Sequence, residues 1–150
     1  MEYRRQNHVV FYTRYHLVFT TKFRRKLLKG GIGNYLTCLV RGLERRHPEI
    51  HIIEIKTDDD HVHILLSIAP KLSIADAVRI IKSNTARQLK QKFSFLTTGY
   101  FDNQHIWSIG YFVSTVGVNE STIKRYIELQ QKEDSGQAEL VLADATGGSP

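Results

Sequence analysis

Seven stretches of the chain space their apolar residues regularly, and each spacing predicts a strand or a helix. Alternation of apolar and polar residues, or enrichment in β-branched and aromatic residues, predicts four strands at residues 12–21, 49–57, 61–68 and 108–116. Apolar residues at helical spacing predict three helices, at residues 34–46, 74 to about 93, and 120 to about 132. Ser73 with Asp76, and Asn119, supply the side chains that begin the second and third helices.

The resulting order, β-α-β-β-α-β, is that of the ferredoxin-like fold of the α+β class. In this fold four strands form one antiparallel sheet, and two helices cover one of its faces. The last helix is an extra element, which packs either on its own sheet or elsewhere. Since no repeat or linker divides the chain, we expect one domain over residues 1–133, followed by an acidic, disordered tail over residues 134–150.

Composition excludes several classes of protein. A chain of 150 residues that is 41 % hydrophobic and 24 % charged is typical of a globular domain. No apolar run approaches the ~18 residues of a membrane-spanning helix, and no apolar signal core follows Met1, so we expect a cytoplasmic protein without a membrane segment. Cys38 is the single cysteine, which excludes a disulfide framework, and its place on the apolar side of a helix predicts that it is buried.

The charge of the chain points to an anionic partner. The net charge is +6, and because residues 132–150 contribute −3, the remainder carries +9. Such a field attracts polyanions, and nucleic acid is the first candidate.

The sharpest local pattern is a pair of histidines on the third predicted strand. His61 and His63 are two residues apart, so their side chains project from the same face of the sheet, while Val62 projects from the other. Two adjacent imidazoles are half of a metal site. Two surface histidines without a ligand would give the same pattern.

A second pair lies on the last predicted helix. Tyr126 and Gln130 are four residues apart and share one face of it. Taken alone, they indicate a packed tyrosine beside an amide. Beside the histidine pair they suggest chemistry, because an amide oxygen suits Mg²⁺ or Mn²⁺ and a phenol that receives help can act as a nucleophile.

Together with their spacing, these motifs resemble a known family. The segments that carry the resemblance are YHLVFTTKFR at 15–24, HVH at 61–63, IKS at 81–83, IWSIGYFVSTVG at 106–117 and IKRYIELQ at 123–130. They are similar to the HUH superfamily, and more closely to the single-tyrosine transposases of the insertion-sequence 200/605 type, over about residues 10–130. That family moves insertion sequences as single-stranded DNA.

The resemblance implies a mechanism and a set of partners. Tyr126 matches the nucleophile, which attacks a DNA phosphate, forms a 5′-phosphotyrosine and frees a 3′-OH. His61, His63 and Gln130 match the ligands of a divalent cation, Mg²⁺ or Mn²⁺. The family recognises DNA hairpins, and the candidates for contacts with the DNA backbone are the basic residues Arg14, Lys22, Arg24, Arg25, Lys82, Arg87 and Lys90. For each of them, a solvated surface charge is the alternative interpretation. The family acts as a homodimer whose active sites are shared between chains. No nucleotide cofactor is implied, and the chain contains no G-x-x-x-x-G-K-[ST] loop.

Two other functions stay open at this point. A host-domesticated relative would use the same residues on repeated genomic hairpins. A non-catalytic nucleic-acid-binding module could also use this fold, but RNA-binding modules of this type carry stacking aromatics on the third strand, and residues 61–66 include none.

Overall fold

The computed structural model describes residues 2–101, 104–117 and 119–136. The chain begins with a short antiparallel hairpin of β1 (Arg4–Gln6) and β2 (Val9–Phe11). The remaining elements are β3 (Tyr15–Thr20), α1 (Gly31–Gly42), β4 (Ile50–Thr57), β5 (His61–Ile68), α2 (Ile74–Lys92), β6 (Phe112–Ser114) and α3 (Glu120–Asp134). After the first hairpin, the element order is the predicted one.

A four-stranded antiparallel sheet with the order β4-β5-β3-β6 is the centre of the molecule. One face packs against α1 and α2, where the alternate residues Val62, Ile64 and Leu66 of β5 are at most 1 % exposed. Trp107 closes this core, since its ring lies edge-on to Phe19 with centroids 4.8 Å apart. The α+β prediction with one antiparallel sheet is therefore confirmed, as is the alternation along β5.

Helix starts follow the predicted capping chemistry. The Ser73 hydroxyl accepts the backbone N–H of Asp76 at 3.0 Å, at the start of α2. The Asn119 side chain accepts the N–H of Thr122 at 2.9 Å, at the start of α3. Each side chain satisfies one of the backbone donors that a helix start leaves without an intrahelical partner.

Three local predictions need correction. The fourth strand is limited to Phe112–Ser114 instead of 108–116, because the carbonyls of residues 108–110 turn inward to the ammonium of Lys82 and leave the strand ladder. The first helix begins and ends earlier than predicted, at Gly31–Gly42, and a 3₁₀ turn, Leu43–Arg45, follows it. Cys38 is exposed, because α1 buries Leu36 and Val40 instead.

The last helix packs on the open face of its own sheet. Tyr126 and Ile127 of α3 form a small apolar cluster with Val18 of β3, opposite the face that α1 and α2 cover. The helix ends at Asp134, and most of the predicted tail, residues 137–150, lies outside the described residues. In the described part of the chain, no helix is long and apolar enough to cross a membrane.

Candidate active site

His61 is held from one side by a buried carboxylate. Its Nδ1 lies 2.9 Å from Oδ1 of Asp60, and Oδ2 of Asp60 accepts the Nε–H of Arg24, also at 2.9 Å. Burial alone would raise the pKa of Asp60, but the hydrogen bonds from His61 and Arg24 outweigh it and hold that pKa below its usual range. An ionised carboxylate beside Nδ1 favours the tautomer of His61 that carries its proton on Nδ1. The other nitrogen, Nε2, then has a free lone pair.

His63 lies among positively charged and titratable neighbours. Its Nε2 is 3.3 Å from Nδ1 of His16, and Lys56 is its cross-strand partner. Burial, followed by the charges of His16, Lys56 and His61, lowers the pKa of His63. The ring is therefore kept neutral, which is the protonation state that binds a metal ion.

A cleft of about 720 Å³ separates the histidine pair from α3. The sheet side contributes His61, His63, Lys56 and the turn at residues 57–60, and α3 contributes Glu120, Ile123, Lys124 and Ile127. Arg24 and Lys26, from the segment after β3, complete the wall. The cleft places the two imidazoles beside both cations and carboxylates, since Asp58, Asp59 and Glu120 also line it. The cations are groups that can contact phosphates.

Tyr126 is fully buried beside that cleft instead of within it. The ring packs against Val18 and Phe112, and the hydroxyl donates to Oε1 of Gln130 at 3.1 Å. Burial first, and then the carboxylates of Glu133 and Asp134, raise the pKa of this phenol. In this packing Tyr126 is a protonated hydrogen-bond donor, which is a poor nucleophile.

Gln130 completes a polar cluster at the end of α3. It is 1 % exposed, and its amide nitrogen lies 3.3 Å from Oδ1 of Asp134. The other oxygen of Asp134 contacts the hydroxyl of Ser108 and accepts the backbone N–H of Phe23. The predicted set of four is thus brought together as two pairs, His61 with His63 and Tyr126 with Gln130.

The histidine pair supplies two imidazoles, the side chains that most often bind metal ions, and Nε2 of His63 lies 3.3 Å from Nδ1 of His16. Within residues 2–101, 104–117 and 119–136, no group of three His, Cys, Asp or Glu side chains is arranged to hold an ion. Gln130, the predicted third ligand, accepts the hydrogen bond from Tyr126 and is not among the residues that line the cleft. In this position of α3, Gln130 is therefore not beside the two histidines.

The seven predicted DNA contacts divide by their surroundings. Lys82 points inward, where its ammonium donates to the carbonyls of Ser108, Ile109 and Gly110. Burial lowers the pKa of Lys82 to about 8, against the opposing effect of Asp134. This lysine holds the loop that faces Gln130.

The other six lie nearer the surface. Arg24 binds Asp60 in the cleft, and Arg25 and Lys90 donate to the carbonyls of His105 and Gln104 respectively. Arg14 and Lys22 lie over the rings of Tyr12 and Phe23, and Arg87 donates to Asn84 on the exposed side of α2.

Sequence reasoning missed the polar groups that the fold brings to the histidines. Asp60 belongs to a run of three aspartates that is typical of a turn, and His16 lies on another strand. Lys26, Lys56 and Lys124 reach the cleft from three separate segments. The one local signal was the alternation of β3, which places His16 on the same face as Val18.

The geometry defines an α+β protein with paired histidines on an open sheet face and a tyrosine on the helix that covers it. A family model described as "Transposase IS200 like" matches residues 9–130. The chain therefore belongs to the IS200-like transposase family, as its motifs predict. Membership of this family implies DNA binding and DNA-cleaving activity.

Individual relatives agree with this assignment. The chain is 33 % identical over 135 residues to the transposase for insertion sequence element IS200 of Salmonella typhimurium, covering 90 % of this chain and 88 % of the relative. It is 27 % identical to the ISDra2 transposase TnpA of Deinococcus radiodurans, covering 89 % and 95 %. A crystal structure of a candidate transposase from Deinococcus radiodurans R1 superposes with a TM-score of 0.72 at 25 % identity, covering 91 % of this chain and 99 % of that one.

Proposed function

We propose that this chain cuts and rejoins single-stranded DNA at the ends of an insertion sequence, through a 5′-phosphotyrosine at Tyr126. The observation that carries the proposal is the pair His61 and His63 at a cleft whose wall includes three lysines, in a chain of this family. The cleft of about 720 Å³ between the histidine pair and α3 supports it, since this space lies directly beside the two imidazoles.

The metal ligands in this proposal are His61, His63 and Gln130, with Mg²⁺ or Mn²⁺ as the ion. When bound, the ion supplies positive charge to a phosphate and makes its phosphorus easier to attack. The two imidazoles are suited to this, because Asp60 leaves Nε2 of His61 without a proton and the pKa of His63 is lowered. Gln130 would be the third ligand, through the Oε1 atom that accepts the Tyr126 hydroxyl in the structure.

The proposed covalent step belongs to Tyr126. Its phenol oxygen forms a bond to the scissile phosphorus while the bond from phosphorus to the 3′ oxygen breaks, and the phenol proton is released. The leaving oxygen takes up a proton and becomes a 3′-OH. Another 3′-OH then attacks the phosphotyrosine and regenerates the phenol. One ester replaces another in each step, so no nucleotide cofactor is needed.

The packing of Tyr126 is the reason that we propose a homodimer with shared active sites. Its hydroxyl packs against Gln130 and Gly110 of its own chain, so this position of α3 does not place the tyrosine in the cleft beside His61. If α3 crosses to a second copy, each cleft receives the partner's Tyr126. Excision also needs two cleavages, and two copies provide two tyrosines.

Phosphates of the bound strand would lie along the cations of the cleft. Lys56 is beside His63 on the sheet, and Lys124 is on α3 across the cleft, so the two lysines flank the space in front of the imidazoles. DNA hairpins are the proposed recognition elements, and Arg14, Lys22, Arg25, Arg87 and Lys90 are the proposed contacts outside the cleft.

A denaturing gel tests the reaction. End-labelled single strands that carry hairpins from the flanks of the coding gene are incubated with the protein and Mn²⁺. We expect a slower protein-linked band that is absent with a chelator or with Tyr126→Phe, and present with the matched control Tyr111→Phe. A band that persists in Tyr126→Phe would contradict the assignment of the nucleophile.

Complementation tests the shared site. A mixed dimer of His61→Ala and Tyr126→Phe contains one intact composite site if helices are exchanged, and we expect it to regain part of the cleavage that each variant lacks. No recovery under confirmed mixing would show that each site is built within one chain.

The burial of Tyr126 also favours a second candidate, a protein that binds hairpins without cutting them. Binding without a covalent band at any flank length would support this function. Cleavage of repeated genomic hairpins, and not of the gene's own flanks, would instead identify a host-domesticated relative.

A further inference from the structure

The three aspartates after β4 have different surroundings. Asp58 is exposed, and its carboxylate accepts the N–H of Asp59, as in an ordinary polar turn. Asp60 is turned inward and is 8 % exposed. Its backbone carbonyl accepts the N–H of Thr21, so its main chain is anchored independently of its side chain.

Both oxygens of the Asp60 carboxylate are used. Oδ1 is bonded to Nδ1 of His61 and Oδ2 to Nε of Arg24, each at 2.9 Å. A buried carboxylate is costly unless it is paired, and here the two partners satisfy it from opposite sides. An imidazole whose Nδ1 proton is held in this way keeps one ring orientation and one tautomer.

Arg24 is itself fixed by an unusual backbone. Phe23 and Arg24 both adopt left-handed conformations, with φ of 57°. The backbone N–H of Phe23 is bonded to Asp134 at the end of α3, and the guanidinium of Arg24 lies 3.3 Å from Oε1 of Gln131 on the same helix. These contacts hold a strained turn in place and direct Arg24 to Asp60.

We infer that Asp60 is a positioning residue that keeps His61 in the tautomer with a free Nε2, and that Arg24 holds the Asp60 carboxylate in place for this purpose. The effect on metal binding rests on the proposed function of the histidine pair. The effect on the tautomer does not, because it follows from the hydrogen bond alone.

Nuclear magnetic resonance of ¹⁵N-histidine-labelled protein tests the tautomer without metal or DNA. At about pH 8, above the usual imidazole pKa, we expect His61 to carry its proton on Nδ1. Asp60→Ala should move that proton to Nε2, and Asp60→Asn should keep it on Nδ1, because the amide oxygen still accepts. The control Asp76→Asn, an exposed carboxylate on α2, should change nothing. Resonances of His61 are assigned with His61→Gln.

Isothermal titration calorimetry with Mn²⁺ alone tests the consequence for metal binding. We expect Asp60→Ala to weaken binding roughly 10- to 100-fold, which is typical of the loss of such a partner. Asp60→Asn should lose less, Arg24→Gln should fall between the wild type and Asp60→Ala, and Asp76→Asn, an exposed carboxylate on α2 away from the cleft, should match the wild type.

The two measurements separate the inference from the function on which it rests. If the wild type binds Mn²⁺ no better than His61→Ala, the proposed metal site is wrong. The tautomer of His61, measured by nuclear magnetic resonance, then still tests whether Asp60 positions this ring. If Asp60→Ala keeps both the Nδ1 proton and the wild-type affinity, Asp60 is not a positioning residue. Should Asp60→Ala fail to fold, Arg24→Gln provides the test, and unchanged Mn²⁺ binding by that folded variant overturns the inference that Arg24 and Asp60 position His61.

Discussion

Gly110 faces Gln130 at a distance that leaves no room for a methyl group. A Cβ at this position would lie 2.6 Å from Oε1 of Gln130 and 3.6 Å from the Tyr126 hydroxyl. The amide is buried, and the same oxygen accepts the bond from Tyr126, so it cannot swing away without losing that bond. Overpacking typically costs about 1–3 kcal/mol, and a hydrogen bond contributes about 1 kcal/mol. We expect Gly110→Ala to lower the free energy of unfolding by about 2 kcal/mol.

Urea unfolding, followed by the fluorescence of Trp107, measures this loss. Trp107 is the single tryptophan and lies in the core, so its emission reports on global unfolding. A loss of this size lowers Tm by roughly 4–8 °C for a chain of this length. The matched control is Gly42→Ala, since Gly42 has helical φ of −76° and no atom within 4 Å of a new Cβ. That control should gain about 0.5–1 kcal/mol, because alanine restricts the unfolded chain.

The outcome decides where α3 lies in solution. If Gly110→Ala has the same stability as the wild type within about 0.5 kcal/mol, the methyl meets no obstacle. Gln130 would then not lie against Gly110, and the packing of α3 on its own sheet would be refuted. A loss of stability near the expected size in Gly110→Ala, with a gain in Gly42→Ala, supports this packing.

Three further predictions concern Tyr126 and the lysines. Tyr126→Phe should keep hairpin binding in a gel-shift assay, abolish the covalent band, and lose about 1 kcal/mol in urea unfolding because Gln130 loses a donor. Lys82 has an ordinary pKa of 10.5 and a folded pKa of about 8, so the unfolded chain binds more protons between these values. The stability of the wild type should therefore rise with pH across that window relative to Lys82→Met, and parallel pH profiles would contradict the burial of this ammonium. Lys56→Gln combined with Lys124→Gln should weaken the binding of single-stranded DNA and reduce its dependence on salt concentration. The control Lys71→Gln, at the other end of β5, should change neither. Filter binding at several salt concentrations distinguishes the two variants.

Features that depend on neighbours in the sequence were predictable. The alternation of residues 61–68 defines β5 at its observed bounds, because residues on one face must all be buried together. Ser73 and Asn119 begin their helices because a side-chain oxygen can reach an N–H two or three residues ahead. The family motifs are likewise local, and the match over residues 9–130 agrees with them.

The β1–β2 hairpin and the short β6 show where local reasoning ends. Strands of three residues carry little periodicity, so the hairpin at the start of the chain was not predicted. Residues 108–116 have the composition of a strand, but most of them do not form one. A lysine 26 residues earlier takes the carbonyl of Ser108, and no spacing within the strand segment reveals that.

The sequence by itself determined the element order, the shared face of His61 and His63, and the shared face of Tyr126 and Gln130. Each follows from the fixed period of a strand or a helix. Tertiary structure alone decided that the two pairs are held apart, that Asp60 and His16 contact the histidines, and that Lys82 is turned inward. Those relations join segments that are distant in the sequence or depend on which way a turn faces, and both are set by the packing of α3 and the sheet.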